Sequence, residues 1–325
     1  MDLRYCLLLI LLPMLAIPCL ILFGSSNLFL QHGASVWVRA NDAIFNIQGR
    51  SCDVLVFGDS TAMTGINPAI VESNTGFRTC NIAVTNAVLA VTNTLTLDHY
   101  LAHNARPKVI LVQLSPDSFL GVDTSWHQTI YPEGLLELLR HGPAKQKISV
   151  LLTHPREAVA FAGYAAGFGA YSAIKSTWFH LTGLRPEEDA LTVNNGFFTP
   201  PTPARTHCDS ASTIANPRSG DRSRQVAERY RQNYALKGDL VIVNVAPIPS
   251  CDSNLRTYQS ELRGVTSNSL LPLPVGLFND GRHYTATGST IVSRLVAQEV
   301  NLLTRNSLAA ANAHGAHYNS VAMLR

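Results

Sequence analysis

Three residues of this chain can do chemistry together: a serine that follows an apolar run, and an aspartate and a histidine three residues apart near the other end. The serine lies in Asp53-Val54-Leu55-Val56-Phe57-Gly58-Asp59-Ser60-Thr61-Ala62. Val54–Phe57 is unbroken and rich in β-branched residues, as a strand covered on both faces of a parallel sheet reads. Gly58 allows a sharp turn, which delivers Asp59 and Ser60 to the strand's C-terminal edge, where open α/β sheets bind ligands. The other two residues lie in Leu277-Phe278-Asn279-Asp280-Gly281-Arg282-His283-Tyr284-Thr285, followed by a helical pattern over Ser289–Leu303. An Asp and a His on one turn can set carboxylate against imidazole. The second ring nitrogen is then left to take a serine proton. Gly-Asp-Ser alone is an ordinary turn and N-cap sequence. The late Asp280-x-x-His283 pair is what gives it a chemical reading.

The elements that must position these residues alternate between strand and helix from Cys52 onward, which predicts a parallel sheet with right-handed connections. Strands are expected at Val54–Phe57, Thr79–Val84, Val109–Leu114 and Leu240–Val245, with a fifth near Leu270–Val275. A helix is expected over Ala87–Asn104. The region 131–218 breaks the alternation with Gly- and Ala-rich apolar material and then a Pro-, Ser- and Thr-rich run. It reads as an insertion of helices and loops over the catalytic edge, where specificity is usually built. Pro247–Asp252 follows a strand and so also falls at that edge, most simply as a loop. Arg218, Arg222, Arg224, Arg229 and Arg231 read as a solvated helix face balanced by Asp221 and Glu228. Residues 305–325 read as a frayed tail.

The chain has 325 residues, 46% hydrophobic and 14% charged, enough to bury one large core. A net charge of +3 is too mild to imply nucleic acid. Histidines at 103, 127, 141, 154, 180 and 207 form no His-x-His motif, and neither a metal site nor a cofactor is expected. Cys6–Phe23 carries no charge and is about long enough to cross a bilayer, so residues 1–24 are read as an uncleaved anchor. The alternatives are a cleaved signal peptide ending near Ala34, or a buried core helix. Residues 25–50 then form a juxtamembrane linker with an amphipathic piece at Val36–Ile47, leaving 51–304 as the main domain. Two of the six cysteines lie in the apolar segment. The other four suggest disulfides in an exported protein, with three possible connectivities. Cys52 and Cys80 open neighbouring expected strands, which makes that bridge feasible and leaves Cys208 to Cys251. Four buried free thiols are the other reading.

The paired motifs resemble the SGNH (GDSL-like) hydrolase superfamily. The resemblance implies a three-layer α/β/α sandwich of flavodoxin-like type, with Ser60 as nucleophile, His283 as general base and Asp280 as its orienter. No Gly-x-Ser-x-Gly elbow is present, which argues against an α/β-hydrolase. In the family, oxyanion donors come from the serine amide, a glycine in a second motif and an asparagine in a third. Here Asn86 stands where the glycine is expected, and a left-handed Asn would keep its amide in use. Asp117, in Ser115-Pro116-Asp117-Ser118-Phe119, stands near the expected asparagine. Ionised, it cannot donate, so Ser115, Ser118 or a protonated Asp117 would have to substitute. The Ser-Pro-x-x-Phe wording is similar to membrane-anchored members that modify envelope polymers. That branch implies serine-dependent O-acyl transfer or ester hydrolysis, the acyl group being acetyl. The protein would sit in the cytoplasmic membrane with its catalytic domain on the periplasmic or extracellular side, act on an envelope or exported polysaccharide, and take its acyl group from a membrane-bound protein. A non-catalytic glycan-binding or scaffold protein with the same fold is the competing expectation.

Overall fold

In the computed structural model, residues 3–33, 36–120, 127–182, 196–197, 204–205, 207–208, 220–235 and 239–322 are described. The chain divides into two compact units. One contains the sheet and comprises Ser51–Asn81, Ala105–Val122 and Thr199–Arg325. The other is helical and comprises Met1–Arg50, Ile82–Asn104 and Asp123–Phe198.

The sheet unit is α/β. Four parallel strands, β1 (Val54–Gly58), β2 (Thr79–Asn81), β3 (Val109–Leu114) and β4 (Leu240–Val245), lie in the order β2-β1-β3-β4. Helices flank both sides. Successive strand residues point to opposite faces. The Phe57 ring meets Tyr230 of the Gly220–Ala235 helix, while a Cβ on Gly58 would lie 3.1 Å from Ala62 in the Ser60–Gly65 helix. The Ala286–Ala322 helix packs on Ser60–Gly65 and Pro68–Thr75. Every residue of β1 and β3 is buried, which is why both read as continuous apolar runs. The chain moves from β1 to β2 on one side, then to β3 on the other. This makes the C-terminal end of β1 the point where the strand order reverses, the edge at which such sheets bind ligands.

β3 and β4 have the expected bounds, and β1 runs one residue further, to Gly58. β2 ends early, at Asn81, because the Asn81 side chain turns inward and donates to the carbonyls of Ala62 and Ile66, both at 2.9 Å. The expected fifth strand is a two-residue piece, β6 (Pro272–Leu273), parallel to β5 (Ile248–Pro249) in a separate small sheet. The last helix does not fray at 305 but runs to Ala322, through an alanine-rich sequence of high helix propensity. Arg218 lies outside the described residues. The disulfides Cys52–Cys80 and Cys208–Cys251 are both formed, which favours an oxidising, exported setting.

The helical unit is built around Phe29, Val38, Leu135, Leu136, Leu138, Phe161 and Ala165. The expected Ala87–Asn104 helix is two, Asn86–Thr92 and Leu95–His103, broken at Asn93, whose φ is 50°. The expected insertion supplies helices His127–His141, Ala144–Thr153 and Pro155–Thr182. The N-terminal apolar stretch is helical over Leu3–Gly24. It packs on Pro155–Thr182, with Gly24 against Ala165 and Phe161. Small residues at that contact let the two backbones approach closely. Among the described residues, no helix is long and apolar enough to cross a membrane. Leu12, Met14, Leu15 and Leu22 of the first helix are nonetheless 66–70% exposed.

The tightest steric constraint in the sheet is at Gly58, which pairs with Gln113. A Cβ there would lie 1.8 Å from the Gln113 carbonyl oxygen, and φ is +154°. Gly58→Ala must push β1 away from β3 just before Ser60. We expect it to cost about 3 kcal/mol or more, read from the urea midpoint.

Candidate active site

Ser60 is the first residue of a short helix whose start is fixed by Asp59. The Asp59 side chain is 1% exposed. Its Oδ1 accepts from the Thr61 amide (3.0 Å) and hydroxyl (2.6 Å). Its Oδ2 accepts from the Ser115 amide (2.7 Å) and the Ser118 hydroxyl (2.6 Å). One carboxylate therefore caps the helix that presents Ser60 and ties it to the loop after β3. The far end of this helix is held by Asn81 and by Ser293, whose hydroxyl donates to the Gly65 carbonyl (3.2 Å) and accepts from the Asn67 amide (2.8 Å).

The second half of the site is the loop before Ala286–Ala322. Asp280 Oδ1 accepts from the amides of Arg282 (2.7 Å) and His283 (2.8 Å), closing a tight turn. The flanks are pinned by a bridge between Phe278 and Tyr284, and the buried Tyr284 hydroxyl donates to the Pro247 carbonyl at 2.7 Å. Within this turn His283 Nδ1 lies 2.6 Å from Asp280 Oδ2, and His283 Nε2 lies 2.8 Å from Ser60 Oγ. Burial alone would raise the Asp280 carboxyl. The hydrogen bond and charge of His283, with the two amides, outweigh it and hold the carboxyl at about 2. It therefore stays ionised through the neutral range. Asp280 can accept from Nδ1–H, and Nε2 is left to accept the serine proton.

Ser60, Asp280 and His283 are thus brought together. Ser115 and Asp117 share the same unit, and both are already engaged. The Ser115 amide is bonded to Asp59, and its hydroxyl lies 3.0 Å from that of Ser118. Asp117 accepts from the Tyr258 hydroxyl and, at 2.7 Å, from Arg282 Nε. It serves as an acceptor in this arrangement, not as the donor an asparagine would supply. Asn86 opens the Asn86–Thr92 helix of the other unit. It does not have the left-handed backbone expected of it, since Asn93 is the one non-glycine residue with positive φ among those described. Groups able to hold a metal gather, among the described residues, in the helical unit at Asp42, Glu137 and His141.

Sequence reasoning missed Arg282. It stands inside the Asp280-x-x-His283 motif and pairs with Asp117 and, through Nη1 at 2.7 Å, with the nearly buried Asp252. Its guanidinium also lies over the Tyr258 ring. Burial would ease its proton off, but the Asp117 carboxylate outweighs this and keeps the guanidinium charged. Tyr258 is pushed up by burial and by the charge of Asp117, so it remains a donor. The Pro247–Asp252 segment therefore braces the histidine loop, and Cys251 within it is bonded to Cys208. A clue was present in the motif itself, since an arginine fixed between catalytic-type residues needs acidic partners. Nothing in the spacing named Asp117 or Asp252.

Comparison of the chain with protein-family models, curated proteins and solved structures finds no match. The site must therefore be argued from its own geometry.

Removing Arg282 leaves two carboxylates without their cation. We expect Arg282→Ala to destabilise the protein by about 3 kcal/mol, and Arg282→Lys, which cannot bridge both acids with a planar fork, by less. Urea unfolding of the two variants beside wild type checks the order.

Proposed function

We propose that the sheet unit is a serine-dependent O-acyltransferase or esterase with the three-layer sandwich of the SGNH superfamily. The observation that carries this reading is the continuous chain from Asp280 through His283 to Ser60, at 2.6 and 2.8 Å, at the C-terminal end of β1. In the reaction, His283 Nε2 takes the Ser60 proton as Oγ attacks an acyl carbonyl, and Asp280 stabilises the imidazolium that forms. The same proton then passes to the leaving alcohol. An acyl-serine remains, which a sugar hydroxyl or water resolves with His283 again as base. The Ser60 amide, ahead of the first hydrogen-bonded turn of its helix, is the first donor available to the oxyanion.

The acyl group we favour is acetyl, and the acceptor an envelope or exported polysaccharide, with a membrane-bound protein as acyl donor. This choice rests on the likeness of the Ser115–Phe119 segment to membrane-anchored members of the superfamily. An outward-facing location agrees with the two disulfides. We also propose that Leu3–Gly24 anchors the chain. Its exposed Leu12, Met14, Leu15 and Leu22 offer an apolar surface to a bilayer. A second reading, a glycan-binding scaffold that keeps the fold, is favoured by one observation. The residue standing near the family's asparagine donor, Asp117, is committed to Arg282 and Tyr258.

Turnover of a small acetyl ester separates the two readings. Ser60→Ala and His283→Ala are each expected to lower kcat/KM by roughly 1000-fold or more while leaving the urea midpoint nearly unchanged, and the double variant is expected to lose little further. Equal turnover in wild type and Ser60→Ala would leave the scaffold reading standing.

A further inference from the structure

We propose that Asp42, Glu137 and His141 form a structural zinc site joining the Val36–Phe45 helix to the His127–His141 helix. Glu137 is wholly buried, and neither of its carboxylate oxygens has a hydrogen-bond partner among the described residues. Leaving an acidic group without a partner in the interior is costly, and such a group in a native fold calls for an explanation, an ion among them. The nearest polar atom of the set fits that explanation. Glu137 Oε2 lies 3.7 Å from His141 Nε2, which in turn lies 2.7 Å from Asp42 Oδ1. Zinc bonds of about 2.0–2.1 Å at tetrahedral angles put neighbouring ligand atoms roughly 3.3 Å apart. These two separations bracket that value, and all three ligand atoms lie within 4.8 Å of one another, so side-chain shifts of about an ångström complete the set.

The positions are also firmly held. Glu137 and His141 are one helical turn apart and share a face. The His141 ring stacks parallel on Phe45, with centroids 4.0 Å apart, so Nε2 is directed by packing as well as by its hydrogen bond. Asp42 is 4% exposed and belongs to a different stretch of chain, so the ion would bond two segments distant in sequence.

Charge points to a divalent ion. Asp42, Glu137 and Glu133, the last one turn before Glu137, bring three carboxylates to this region. The cation facing them is Arg140. Its three nitrogens are taken by Asp42 Oδ1 (2.6 Å), the Ser25 carbonyl (2.9 Å) and Asn27 Oδ1 (2.9 Å). None of these bonds reaches Glu137. A cation seated between Asp42 and Glu137 would meet the buried carboxyl that Arg140 does not reach. A mixed imidazole and carboxylate set suits zinc better than magnesium or calcium, which prefer oxygen alone. A water or the second Glu137 oxygen would supply the fourth ligand. The sequence gives no sign of this, because the ligands share no metal-binding spacing and only one is a histidine.

The test uses the 325-residue chain in detergent, stripped by a chelator and dialysed against zinc chloride. Wild type is expected to retain one zinc per chain and to melt a few degrees higher than its stripped form. Glu137→Gln and His141→Ala, dialysed alongside, are expected to hold zinc on the order of tenfold more weakly or worse. Glu137→Gln keeps the result clear of misfolding. Without an ion, exchanging an unpartnered carboxylate for an amide leaves stability equal or higher. The stripped variant should therefore melt at or above stripped wild type and lose only the zinc-dependent rise. Wild type that retains no zinc, or variants that retain as much as wild type, would overturn the proposal.

Discussion

The candidate site depends first on one buried carboxylate. Asp59 accepts four hydrogen bonds from three residues, two on its own turn and two on the loop after β3. A carboxyl group this deep would be costly without such partners, and with them it is a strong local fastener. It settles where the helix of Ser60 begins, and so where the hydroxyl points. It also explains why Gly58 must precede it. The β1 backbone passes so close to the Gln113 carbonyl that a side chain has no room. Sterics set the approach, and electrostatics set the direction of departure.

The histidine loop is positioned by a separate set of interactions, which makes the 2.8 Å meeting of His283 and Ser60 informative. Arg282 reaches to Asp117 after β3 and to Asp252 after β4, so the loop is tied to both neighbouring strand ends. Tyr258 and the Tyr284–Pro247 bond add to the same bracing. The Cys208–Cys251 bridge closes beside Asp252, which links this bracing to an oxidised state of the protein. With so many independent restraints, the imidazole needs little reorganisation before accepting a proton, and preorganisation of this kind is what acyl transfer requires.

How much of this was legible in the sequence follows from the range of each interaction. β1, β3 and β4 were legible because burial on both faces writes itself as an unbroken apolar run. β2 was overestimated because Ile82–Val84 is as apolar as a strand, yet the chain leaves the sheet once Asn81 turns inward. The Ala87–Asn104 pattern hid a break, since Asn93 adopts a positive φ that periodicity does not register. The helical unit was not legible as a unit, because it is assembled from three separated segments, the first of which reads in sequence as an anchor followed by a linker. At the site, Ser60, Asp280 and His283 could be found by type and spacing. The pairing of Arg282 with Asp117 and Asp252 could not, because it forms between loops whose proximity only the fold creates. Asp117 was therefore read as a failed donor when its carboxylate is the partner of an arginine.

The central claim is that Ser60 is a nucleophile made reactive by His283. It is tested most directly by treating the folded protein with a fluorophosphonate, which bonds covalently to activated serines, and mapping the adduct by peptide mass spectrometry. The account predicts a single adduct on Ser60, absent from His283→Ala and formed more slowly in Asp280→Ala. No adduct on wild type, or labelling of Ser60 that is unaffected by loss of His283, would contradict it.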